Sequence, residues 1–263
     1  MNLREILSGS VSLLKSQPKA FIPRLVMSVL YTAITLYLVG LTAEFMQVMD
    51  SAAVSSFIWR IAVLFIWLPI LYFLDILSYA MYPRMVKDHR MGRKMSLSAA
   101  LKDALHSWRV IMALGLTIFA FLILLVTVAA PLQYLSYSTG NVSYTVLAAL
   151  LALVLVLAFS VLVFFVVPAS IIEGMGVRDS FAASFKLGLL HIKNLLGLNL
   201  MFTFMVAVTI LFAFWTELED RLTLLGVASL LAVRCAQTIV YTYVSVANPL
   251  AYLSVRVKKA APE

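Results

Sequence analysis

Apolar residues run along this chain in six long stretches, near 25–42, 54–82, 110–130, 144–168, 195–215 and 223–248, set apart by charges and turn residues. An α-helix crosses the hydrocarbon layer of a bilayer with about 17 to 25 apolar residues, so each stretch predicts one transmembrane helix. The strongest case lies between Arg109 and Glu173, where 63 consecutive residues include no Asp, Glu, Lys, Arg or His. That is room for two spans joined by a short turn.

Three shorter segments carry a different pattern. Leu3, Ile6, Leu7, Ser10, Val11 and Leu14 recur at spacings of three and four, as do Leu97, Ala100, Leu101, Ala104, Leu105 and Trp108. Val177, Ser180, Phe181, Ser184, Phe185 and Gly188 repeat those offsets with weaker apolar character. Such spacing puts one face along a helix and turns Arg4, Lys102 and Lys186 away from it. Start signals agree: Asn2 with Glu5, then Ser96, then Gly176 with Asp179. Each stripe precedes two spans, and the second span of each pair ends at a proline, Pro83, Pro168 or Pro249, which lies 80, 71 or 72 residues after the stripe begins. The expected architecture is therefore all-α: a single membrane domain over 1–263, built from three helix-hairpin repeats, each preceded by an amphipathic surface helix. The units run about 1–88, 89–172 and 173–255, with a short basic tail at 256–263. The alternative is that each stripe simply runs on into the span after it. The prolines are expected to bend or stop their helices at the interface, where hydrogen bonding is already incomplete.

Composition agrees with the pattern: 63% of residues are apolar, only 12% are charged and the mean hydropathy is +1.02. Soluble domains average roughly 45 to 50% apolar and about 25% charged. The net charge of +8 is no sign of nucleic acid, because 17 of the 20 Lys and Arg residues fall on one side of the predicted topology, the exceptions being Arg60, Arg221 and Arg234. Glu44, Asp50, Glu217, Glu219 and Asp220 fall on the other side. This bias predicts a multi-pass cell-membrane protein with both termini cytoplasmic. Residues 1–19 are amphipathic and do not read as a cleavable signal. The lone Cys235 excludes an internal disulfide and a cysteine-rich metal site.

Pro168-Ala-Ser-Ile-Ile-Glu173-Gly174-Met-Gly176-Val-Arg-Asp-Ser180-Phe-Ala-Ala-Ser184-Phe-Lys-Leu combines a span ending in Pro, a Glu-Gly turn and a helix with a Ser-Phe rhythm. It resembles the multi-span membrane domain attached to some bacterial glycerophosphodiester phosphodiesterases and found alone in other prokaryotic membrane proteins. The other two units match by layout only, and the phosphodiesterase's catalytic domain is absent. The resemblance thus implies a prokaryotic membrane module with Glu173 and Gly174 at a repeat turn, and it does not imply hydrolysis.

No phosphate loop, nucleophile elbow or metal-spaced His and Cys set occurs, and His89, His106 and His191 fall at non-equivalent positions. Neither an enzyme nor a bound cofactor is expected. Charges inside apolar spans are functional candidates by default because they are costly there. Arg60 lies close enough to a span end to snorkel, whereas Asp75 and Arg234 lie deep, which makes them a candidate intramembrane polar pair facing the protein interior. Arg84, Lys87, Arg90, Arg93 and Lys94 form a basic cluster next to a span and are candidate contacts for anionic lipid head groups. Asn141-Val-Ser143 matches a glycosylation triplet, a pattern common by accident. The functional expectation is a module that binds membrane lipids, or a protein partner or second copy, in envelope organisation or complex assembly. The alternative is a small transporter or channel with a pathway lined by Asp75 and Arg234.

Overall fold

The computed structural model describes residues 2–47, 51–217 and 223–260. Asp50, Glu219, Asp220 and Arg221 lie outside the described residues, as do the side chains of Glu44, Trp215, Glu217, Lys258 and Lys259. The first part of the chain forms α1 (Leu3–Ser16), a 3-10 turn (Pro18–Phe21), α2 (Ile22–Gln47), α3 (Ser51–Ala80) and α4 (Tyr82–Arg90). The middle forms α5 (Leu97–His106), α6 (Trp108–Thr139), α7 (Val142–Val163) and α8 (Val166–Glu173). The last part forms α9 (Val177–Leu190), α10 (Ile192–Glu217) and α11 (Leu224–Ala260). Among the described residues, six helical stretches are long and apolar enough to cross a membrane: Pro18–Leu41, Ile58–Arg90, Trp108–Thr139, Val142–Glu173, Ile192–Phe212 and Leu225–Arg256.

The short helices α1, α5 and α9 do not run on into the spans. Gln17, Ser107 and His191 leave helical geometry at their C-terminal ends. At the other ends, the Asn2 side chain accepts the Arg4 amide at 3.2 Å and Ser96 Oγ accepts the Ala99 amide at 3.3 Å. Both are side-chain N-caps, which satisfy donors that the first turn leaves free. Only part of each apolar stripe faces the protein. Ile6, Ala100 and Ser180, three residues into their stripes, are buried, as are Ser10, Ala104 and Ser184 at the seventh offset. Val11, Leu105 and Phe185, one residue further on, are exposed. Each short helix therefore presents one edge of its stripe to the bundle and another to its surroundings.

Packing follows a cyclic order. The spans meet their chain neighbours in the sequence α2, α3, α6, α7, α10, α11, and α11 returns to pack on α2. Helix α5 lies against α3 and α4, α9 against α7 and α8, and α1 against α11. Each short helix thus covers the second span of the preceding hairpin, and the first covers the last. The segments after the three prolines converge: α4 packs on α8 and on α11, and α8 also touches α11. The core gathers at this end, where Tyr82, Met85, Phe165, Val166 and Tyr252 are fully buried. The rings of Phe165 and Tyr252 meet at a tilt with centroids 5.6 Å apart.

The prolines do not stop their helices. Helical structure continues past Pro83 to Arg90, past Pro168 to Glu173 and past Pro249 to Ala260. The break comes earlier where there is one, at Met81 and at Phe164 and Phe165, whereas α11 carries Pro249 inside. A proline fits the first turn of a helix because its missing N–H has no partner to lose there, so α4 and α8 restart around it. The break before α8 is held by the short helix beneath it: Ser184 Oγ donates to the Leu162 carbonyl at 2.6 Å and accepts the Phe165 amide at 3.0 Å. One turn on, a Cβ at Gly188 would meet the Val161 carbonyl oxygen at 2.8 Å, so α9 reaches the break only through a glycine.

Gly188→Ala is accordingly expected to destabilise the protein by about 1 to 3 kcal/mol in a detergent thermal-unfolding assay, because the obstructing atom is backbone. Gly9→Ala, whose new Cβ would meet nothing nearer than 3.9 Å, serves as the control and should be neutral or slightly stabilising. Equal losses at the two sites would mean that α9 does not pack closely on the break.

Candidate functional site

A cavity of about 440 Å³ lies among α2, α3 and α11, lined by Arg24, Ser28 and Tyr31 of α2, Asp75 of α3, and Arg234, Gln237, Thr238 and Tyr241 of α11. It brings both sequence-identified intramembrane charges to one place but does not pair them. Arg24 Nη1 donates to Asp75 Oδ1 at 2.6 Å, and Arg24 Nε donates to Ser245 Oγ at 3.2 Å. Arg24 also stands over the ring of Tyr79, 5.6 Å from its centroid. Arg234 donates instead to Gln237 Oε1 and to Thr35 Oγ1, each at 2.9 Å. The expected Asp75–Arg234 pair is therefore corrected to Arg24–Asp75. The physical reason is depth: Asp75 and Arg234 sit 8 and 15 residues before their prolines, an offset of about 10 Å along parallel axes. Arg24 enters from the end of α2 at the level of Asp75.

Helix α11 supplies most of the polar wall. Gln237, Thr238, Thr242, Ser245 and Asn248 are all buried, at spacings of three and four from Arg234. Cys235 and Ile239, further round the helix, are exposed. Toward the core end the polar line continues through Asn248, whose Nδ2 donates to Tyr79 Oη at 2.6 Å and to the Phe164 carbonyl at 2.7 Å. It ends where Arg256 Nη2 donates to Glu173 Oε2 at 2.8 Å and Tyr252 Oη donates to Glu173 Oε1. Glu173 thus fastens the end of α8 to α11, and Gly174 closes α8 in the left-handed region at φ +68°. That conformation favours glycine because it has no Cβ.

The basic cluster divides. Arg84 is held by Asp88 and Asp103, each at 2.9 Å, and Lys87 donates to the Ile172 carbonyl at 3.2 Å. These two residues tie α4 to α5 and α8. Arg90, Arg93 and Lys94 are exposed. His89, His106 and His191 fall on α4, on α5 and at the end of α9, and among the described residues no three of His, Cys, Asp and Glu gather as metal ligands.

Sequence reasoning missed Arg24 and the polar face of α11. Arg24 reads as one more topology-setting base at a span edge. The face of α11 was visible as a run of Gln, Thr, Tyr, Ser and Asn at helical spacing from 234 to 248, a pattern that neutral residues carry less loudly than charges. No family model, curated protein or solved structure matches the chain.

Removing one partner of a largely buried ion pair leaves an uncompensated charge and costs about 3 to 5 kcal/mol, while removing both can be nearly neutral. Asp75→Asn and Arg24→Gln are each expected to lower the thermal midpoint in detergent, with much of the loss recovered in the double variant. Strictly additive losses would contradict the pairing.

Proposed function

We propose that this chain is a non-enzymatic multi-pass membrane module that binds lipid through the cavity among α2, α3 and α11, with both termini on the cytoplasmic side. The observation that carries the reading is a charged, hydroxyl-lined cavity bordered by apolar grooves. Met27 lines both the cavity and a groove of α2, α3 and α5 that includes Val26, Leu30, Leu74 and Leu101. Leu30 and Leu74 also line a second groove running along Ile34, Val63 and Trp67. A polar head and an apolar chain on one ligand suit such a continuous wall, since ligand sites combine apolar lining with a few placed polar groups. The concentration of basic residues toward the end that holds the core supports the orientation. Three consecutive hairpin units, each with its short helix, agree with the cyclic packing. The likeness of residues 168–187 to the phosphodiesterase-linked membrane domain accords with a module of this kind.

A second reading, a small transporter, draws on the depth of Arg234. It lies ten residues into α11, about 15 Å from the helix start and so near the middle of a layer about 30 Å thick. Against it stands the filled core end, where Tyr82, Phe165 and Tyr252 have no exposed surface.

Native mass spectrometry of the protein released from mild detergent is expected to show discrete phospholipid adducts that survive activation, and reconstituted liposomes are expected to show no solute flux that depends on Arg234. Absence of retained lipid together with an Arg234-dependent flux would replace the lipid-binding reading by transport.

A further inference from the structure

We infer that the cavity among α2, α3 and α11 is an oxyanion site of the phosphate class, with Arg234 as its charged contact and Tyr31 and Tyr241 as further donors. The inference rests on the lipid-binding reading of this cavity and names the group recognised there. Three charged side chains line the cavity, two positive and one negative. Asp75 is engaged by Arg24 at 2.6 Å, so the remaining charge belongs to Arg234. Both of its hydrogen bonds end on neutral oxygens, those of Gln237 and Thr35, and its buried Nε has no partner. Neutral acceptors satisfy a guanidinium's geometry without cancelling its charge, and an uncompensated charge within the hydrocarbon layer is unfavourable.

Hydrogen bonding points the same way. Ser28 and Thr238 both donate to the Arg234 backbone carbonyl, at 3.2 and 2.9 Å, which fixes that turn of α11 in place. The phenol groups of Tyr31 and Tyr241 also line the cavity, and neither hydroxyl has a hydrogen bond among the described residues. The cavity thus has donors in surplus, two phenols and the Arg234 guanidinium, whose Nη atoms each keep a second hydrogen, arranged on two helices. The complementary group bears negative charge, several acceptor oxygens and no obligatory donor. A phosphate or phosphodiester has enough oxygens to meet three separated donors, and arginine is the side chain best suited to it. A lipid head group and a free phosphate share this chemistry.

The test uses the full chain, delipidated in detergent, with dihexanoyl phosphatidate, inorganic phosphate and dihexanoylglycerol as probes and the thermal midpoint as readout. Phosphatidate is expected to raise the wild-type midpoint, and Arg234→Gln to weaken its apparent affinity about tenfold or more, in keeping with the loss of a charge-assisted contact. Without probe, Arg234→Gln is expected to be at least as stable as wild type, because it removes an unpaired charge. A structural arginine would behave in the opposite way, and that outcome would overturn the inference. Tyr241→Phe, which keeps the ring, should weaken binding more mildly. Equal stabilisation by inorganic phosphate would support the oxyanion site while removing the lipid reading. Stabilisation by dihexanoylglycerol alone, or unchanged phosphatidate binding in Arg234→Gln, would overturn the oxyanion site while leaving lipid binding intact.

Discussion

A polar group held inside a hydrocarbon layer has no water to bond with, so whatever it lacks must come from another part of the chain. The prolines create such a need. Pro168 has no N–H to give to the Phe164 carbonyl one turn earlier, and the Asn248 amide of α11 donates to that carbonyl at 2.7 Å. The same amide reaches Tyr79, which stands four residues before Pro83. That contact is with the Tyr79 hydroxyl, and Asn248 itself precedes Pro249, so one side chain links the approaches to all three prolines. Ser184 bridges the neighbouring break between α7 and α8 from below. The break before α8 is thus satisfied by side chains from the third unit, Ser184 of α9 and Asn248 of α11.

The second span of each hairpin is covered by the short helix that opens the next unit, which for the third hairpin is α1, at the other end of the chain. Contacts between α1 and α11 are tied down by the Tyr243 hydroxyl, which donates to the Leu7 carbonyl at 3.4 Å. Closure brings α2 and α3 beside α11, and it is here that Arg24, Asp75 and Arg234 come together. Residues corresponding to Asp75 by distance from the proline are Ser160 and Tyr241 in the other units, so the charges belong to this junction alone. A ring whose units share a layout but differ in one lining can hold a site at one junction and a packed core everywhere else.

Much of this was legible in the sequence. The six spans follow from lengths of apolar run, and the three short helices from stripes whose third and seventh offsets are buried in all three cases. Two things were less visible. The stripe is defined by periodicity, which cannot say that Val11, Leu105 and Phe185 turn outward, since that depends on the angle at which each helix meets a span. The ion pair of Asp75 was misassigned because counting along each helix gives depth but not which neighbour stands at that depth. Arg24 looked like an interfacial base, and only ring closure shows that it points inward. The buried Gln, Thr, Ser and Asn positions of α11 did carry a sequence signal, a polar stripe at helical period in an otherwise apolar span, and reading neutral polar residues as carefully as charged ones would have found it.

In this account α11 turns Arg234 and Gln237 toward the cavity and Cys235 and Ile239 outward. Single nitroxide labels placed in turn from 225 to 242 in the reconstituted protein, with Cys235 replaced where another site is labelled, measure it directly through collision with dissolved oxygen. Oxygen accessibility should peak at 228, 231, 235 and 239 and fall at 230, 233 and 237, with helical period. The reverse phase, with maxima at 230, 233 and 237, would mean that the polar face looks outward and that no such cavity organises the protein.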